Sequence, residues 1–204
     1  RKEKEITAYH EAGHALVASV LPYADPVHKI SIISRGRAAG YTLKLPFEDR
    51  RMQSRKEFLD DIAVSLGGFI AEKLVFKDVT TGASNDLQVL SALARNMVER
   101  YGMSEKMGPI AFAASAQAAM FGDGVDGGQS QEVAAMIDAE VKAIIEGAHK
   151  QAEAVIKKHR KTLDAIARRL IEVETIERDE FEKILIANGI TPKKKEDIEH
   201  QPLA

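Results

Sequence analysis

Along the first twenty residues, Ile6, Gly13, Val17 and Leu21 recur at three- and four-residue spacing, with His10 on the same stripe. That period predicts a helix over 3–21, and Pro22 stops it. VHKISIIS (27–34) is rich in β-branched residues and alternates, as a strand does, and GYTLKLP (40–46) reads as a second strand ending at Pro46. RGRAAG between them turns the chain, so 27–46 is expected to form a small hairpin. Ser54 and Glu57 form an S-x-x-E capping box that opens a helix over 54–76. DVTTGASNDL leads into a further helix at 85–101, with Gly102 as its stop.

Residues 103–129 include GDGVDGG and read as a long mobile loop. From 130 the stripe Val133, Ile137, Val141, Ile144, Ala148, Ala152 and Val155 is helical. It resumes with Leu163, Ile166 and Leu170, then Phe181, Ile184 and Leu185, and Asn188-Gly189 closes it. The fold class expected is therefore mainly α: a helical domain over 1–190 with a small hairpin and a C-terminal helical bundle. Within it, 5–127 is the catalytic subregion and 128–190 the C-terminal helices; 191–204, TPKKKEDIEHQPLA, is a polar, disordered tail.

Composition narrows the function classes. Hydrophobic residues make up 45% of 204, enough for a sizeable core, while aromatics are only 5%, so Ala, Leu, Ile and Val must fill it. Lys+Arg (29) and Asp+Glu (31) nearly cancel, leaving no basic field to hold a nucleic-acid backbone. Without cysteine there is no disulfide, thiolate metal site or cysteine nucleophile, which fits a reducing compartment. No apolar run reaches the ~18–20 residues that cross a bilayer, and RKEKE is not a signal peptide. The charged, helix-like start without an initiator Met reads as a piece of a longer polypeptide.

Against that background ITAYHEAGHALVASVL (6–21) stands out, because it spends part of an apolar helix on His10, Glu11 and His14. Residues four apart lie on one helix face, so the two imidazoles can lean onto one ion. Neutral histidine suits Zn²⁺, and Glu11 stands beside the pair, where it can take a proton from a water acidified by the metal. H-E-x-x-H matches that chemistry residue for residue. Without a metal, two polar rings on such a face would be costly. Gly13 is expected to clear space beside the ion.

A catalytic zinc site needs a third protein ligand. Glu72, in LGGFIAEKL, and Asp86, in TTGASNDL, are both candidates. Gly67 and Gly68 would let the Glu72 helix approach another closely. Asp86 could be a helix N-cap, yet Ser84 and Asn85 can do that work, leaving a spare carboxylate. Spacing alone leaves the two level.

HEAGHA, GRAAGYT, LGGFIAE, TTGASNDL and ARNMVERYGMSEKMGP occur in an order that resembles the peptidase domain of FtsH-type membrane-anchored AAA proteases, over about residues 5–190. The resemblance implies a zinc endopeptidase acting on unfolded or membrane-extracted polypeptide. It implies His10, His14 and Asp86 as ligands and Glu11 as general base, with Glu72 supporting a ligand histidine. It also implies a homo-hexamer, with an ATPase module and membrane segments in the same full-length chain. The anchor would lie in the inner (plasma) membrane, with this domain on the cytoplasmic side. No G-x-x-x-x-G-K-[ST] loop occurs here, so no ATP hydrolysis is expected of these residues. Ser115–Gln129 matches the family pattern only loosely.

Two further readings compete with catalysis: a non-catalytic ring-assembly module with a structural zinc site, and a peptide-binding adaptor. The GYTLKLP strand either pairs with extended substrate or merely completes the hairpin. His28, His149, His159 and His200 lack partners at ligand spacing, and Lys193–Lys195, balanced by Glu196, Asp197 and Glu199, reads as solvated tail.

Overall fold

The computed structural model describes residues 2–36, 38–112 and 130–195. Six helices and a three-stranded antiparallel sheet account for the regular structure among them. Helix α1 (Lys2–Val20) is the centre of the fold: every residue from Ala8 to Ala18 is buried. It is covered by α2 (Arg55–Phe76), α4 (Gln131–Lys158), α5 (Arg160–Val173) and the sheet. Leu16, Ile62, Ile70, Leu90, Ile137, Ile156, Ile166 and Leu170 lie in one continuous core. Each such side chain contributes roughly 1.5–3 kcal/mol on leaving water.

The α1–α2 contact is set by glycine. A Cβ at Gly67 would stand 2.6 Å from the Gly13 carbonyl oxygen, and one at Gly13 would meet Gly67 backbone and, at 2.8 Å, the Ala71 Cβ. Gly67 permits the expected close approach. Gly13, however, faces α2 rather than a space beside an ion, so its expected role is corrected to helix packing. Helix α2 opens as expected: Ser54 Oγ accepts from Glu57 N at 3.2 Å while the Glu57 carboxylate accepts from Ser54 N. It ends at Lys77 in the left-handed conformation, φ 59°.

The hairpin forms from β1 (Val27–Ser31) and β2 (Tyr41–Lys44), paired antiparallel with a register shift between Val27 and Lys29. A third strand, β3 (Thr175–Glu177), joins the other side of β1, giving the order β2-β1-β3. It interrupts what the periodicity had drawn as helix. The long run divides at His159 into α4 and α5, and α5 stops at Glu174, φ 63°. Beyond β3, helix α6 (Arg178–Ala187) runs up to Gly189. A three-residue strand holding one apolar residue leaves too little alternation to register.

Helix α3 (Ser84–Glu99) follows a 3-10 turn at Thr81–Ala83, and Gly102 takes φ 60° just past its end. Residues 103–112 form a loop, as expected of their part of 103–129, and it is tied to the body of the fold. Ser104 is buried against Glu140, Met107 is buried, and Phe112 N donates to Glu99 O at 2.8 Å. The rest of that segment, including Ser115–Gln129, lies outside the described residues, as does His200. The tail reading is corrected at Lys193, whose ammonium donates to the carbonyls of Ala18 and Ala24 at the end of α1. No described helix is long and apolar enough to cross a membrane.

Candidate metal centre

His10, Glu11 and His14 are 6–8% exposed, in the middle of α1. Each imidazole is oriented from behind. His14 Nδ1 lies 2.7 Å from the Val64 carbonyl, which can only accept, so the proton is on Nδ1. His10 Nδ1 lies 2.7 Å from Glu72 Oε1 and donates to that carboxylate in the same way. Glu72 is held in turn by the Thr80 N–H, which donates to Oε2 at 2.8 Å.

With both Nδ1 positions occupied, both Nε2 atoms turn forward. They lie 3.0 Å from one another, and Asp86 Oδ2 lies 3.0 Å from His10 Nε2 and 3.1 Å from His14 Nε2. Three ligands at about 2.0–2.1 Å around one tetrahedral ion stand a little over 3 Å apart, so the donor set fits Zn²⁺ in spacing and in chemistry. Among the described residues these three are the group of histidine and acidic side chains close enough to share a metal ion.

Three lone pairs aimed at one point repel unless something positive stands between them. A proton can serve. Burial pulls the His10 pKa down, but hydrogen bonds to Asp86 and Glu72 outweigh it and raise the value to about 9. Burial likewise works to raise the Asp86 pKa, yet its hydrogen bonds to His10 and His14 hold the carboxyl well below the usual range. Glu72 is lowered too, against burial, by its bonds to His10 and Thr80. A divalent cation satisfies the same three acceptors with more charge.

Asp86 lies in the first turn of α3, and the residue capping that helix is Ala83, without a side-chain hydrogen bond. The Asp86 carboxylate is thus free of capping work and turned onto the histidines, whereas Glu72 stands behind His10. Spacing leaves the two level; in the structure Asp86 meets both Nε2 atoms, and Glu72 meets Nδ1 of His10. Sequence reasoning missed three contributors. Gly68 is the glycine beside the site, since a Cβ there would fall 2.5 Å from His10 Cε1 and Nε2. Its signal in the sequence is the GG pair, of which Gly67 serves the packing. Thr80, and Thr42, whose Oγ1 donates to Glu11 Oε2 at 2.7 Å, carried no signal in the sequence.

The model of peptidase family M41 matches residues 1–184. Among known proteins, the chain is 50% identical over 187 residues to the ATP-dependent zinc metalloprotease FtsH of Thermotoga maritima, covering 90% of this chain and 31% of that protein. It is 48% identical over 185 residues to the ATP-dependent zinc metalloprotease FtsH 1 of Sphaerobacter thermophilus, covering 90% of this chain and 28% of that one. It therefore spans about three-tenths of the length of the curated relatives it matches. With HEAGH on its central helix and the family match running over nine-tenths of its length, the chain belongs to peptidase family M41.

Proposed function

We propose that this chain is a zinc-dependent endopeptidase, the proteolytic part of a membrane-anchored AAA protease that degrades unfolded or membrane-extracted polypeptide. The observation that carries the reading is the convergence of His10 Nε2, His14 Nε2 and Asp86 Oδ2 within 3.1 Å, with Glu11 adjoining. His10, His14 and Asp86 hold the ion, and Glu72 supports His10. Zn²⁺ bound there supplies a Lewis acid for the peptide carbonyl and lowers the pKa of water.

The remaining chemistry belongs to the chain. Glu11 accepts the proton of the attacking water at its carboxylate as the oxygen adds to the carbonyl carbon. It then delivers that proton to the departing nitrogen, so the C–N bond breaks to give a carboxylate and an amine. Strand β2 lies at an edge of the sheet, and an extended substrate can add to it through its backbone, which gives weak sequence preference. The domain is assigned to 1–190. The ATPase module, the homo-hexamer and an anchor in the inner membrane, with this domain on the cytoplasmic side, belong to the same proposal.

The test is zinc-dependent cleavage of a labelled, permanently unfolded protein by the parent and by Glu11→Gln. The variant should keep stoichiometric zinc and its melting temperature while turnover falls by about 10²–10⁴-fold. Unchanged turnover would overturn the role of Glu11. Zinc binding without cleavage by either protein would favour the ring-assembly module.

A further inference from the structure

Glu11 differs from its two histidine neighbours in what fixes it. His10 and His14 are held from α2, whereas the Glu11 carboxylate is met by the strand opposite. Thr42 Oγ1 lies 2.7 Å from Glu11 Oε2 and 3.3 Å from the Glu11 carbonyl oxygen; a hydroxyl has one proton, and the nearer, charged acceptor takes it. Two residues earlier the chain presents bare backbone. A Cβ at Gly40 would stand 2.9 Å from Glu11 Cγ and 3.0 Å from Oε1, and 2.8 Å from the Ser31 carbonyl oxygen. The carboxylate is therefore seated against the start of β2: one oxygen is bonded to Thr42, and the other lies over a residue with no side chain to crowd it.

We propose that Thr42 is a positioning residue for the general base. By holding Oε2 it fixes the carboxylate plane and leaves Oε1 as the oxygen that takes and returns the proton, while Gly40 keeps room for it. This rests on the peptidase reading and deepens it. The strand that offers its edge to substrate is the strand that sets the base, so β2 aligns the scissile bond and the proton acceptor together. Half-buried Thr42 spends its hydroxyl on the Glu11 carboxylate, a bond that a β-branched apolar side chain of the same shape could not make.

Thr42→Val removes the hydroxyl at nearly constant volume, and Thr42→Ser restores it. With zinc-loaded protein and a fluorogenic peptide, Thr42→Val should lower kcat by about 10- to 100-fold, the scale of a displaced catalytic group. KM, zinc stoichiometry and melting temperature should stay near the parent's, and Thr42→Ser should recover most of kcat. Independently of turnover, the carboxyl ¹³C resonance of Glu11 should move in Thr42→Val and not in Thr42→Ser. An unmoved resonance, a full kcat in Thr42→Val, or a serine variant as slow as the valine one would overturn the inference. So would a loss of kcat that follows a loss of zinc or of melting temperature. An inactive parent, or an active Glu11→Gln, would instead count against the peptidase reading, and the resonance still decides the role of Thr42.

Discussion

Helix α1 touches two polar clusters, one buried and one part-buried, and they differ in how they are closed. At its middle, His10, His14 and Asp86 bring three acceptors to one point, with Glu72 and the Val64 carbonyl behind them. At its C-terminal end, the Lys193 ammonium donates to the carbonyls of Ala18 and Ala24, and nearby Asp60 Oδ2 accepts from Tyr23 N at 2.8 Å. In the second cluster donors meet acceptors, and the protein satisfies itself. In the first, three acceptors meet at one point and need a positive charge between them, a proton or a metal ion. Perturbed pKa values are common to both; the direction of the lone pairs tells a binding site from a structural clasp.

Gly68→Ala should break that distinction most sharply. The new Cβ would lie 2.5 Å from two atoms of the His10 ring, and the ring must swing away. Zinc affinity should fall by more than about 100-fold, beyond what loss of a supporting partner costs. The metal-free protein should lose about 1–3 kcal/mol to overpacking. A titration against a chromogenic chelator measures the first and denaturant unfolding the second. Parent-like zinc binding would mean that the ring is not seated on Gly68.

Glu72→Gln should come next. The amide can still accept from His10 Nδ1 but without charge, so zinc should bind about 10- to 100-fold more weakly while the fold survives. The same chelator titration reads it. An affinity unchanged from the parent would leave Glu72 as packing alone and take the rear support out of the first cluster.

How far each cluster was legible follows from what a linear pattern can hold. His10, Glu11 and His14 lie within one helical turn and a half, so spacing alone puts them together. Asp86 lies 76 residues from His10, and only the fold brings it there. The capping box at Ser54 is a local signal, and α2 begins where it says. Strand β3 exists because β1 offers an edge to Thr175–Glu177, a partnership invisible in the segment itself. The Thr42–Glu11 bond crosses from strand to helix, and a lone threonine announces nothing. Lys193 is illegible for a related reason: charge balance in TPKKKEDIEH describes the average residue of the run, while one lysine finds two carbonyls far away in the chain.

Lys193→Met offers the smallest effect and the cleanest separation of the two clusters. Burial pulls the Lys193 pKa from 10.5 down to about 8, against the attraction of Asp60 and Asp25. Burial pushes the Asp60 carboxyl up, with the Tyr23 N–H and the Lys193 charge opposing it. A lysine with a lowered folded-state pKa holds fewer protons folded than unfolded between the two values. Its contribution to stability therefore rises with pH across that window, is complete above 10.5, and falls away as pH drops through about 8. Between pH 8 and 9 the parent should gain on Lys193→Met by about 1 kcal/mol in denaturant unfolding. The difference should be flat below pH 7, where Lys193 is charged in both states. Zinc affinity should not move at any of these values, because the clasp holds Ala18 in the last turn of α1 and Ala24 beyond it, a turn away from His14. A zinc affinity that fell together with stability would mean that the end of α1 sets the position of His14, and the two clusters would then be one.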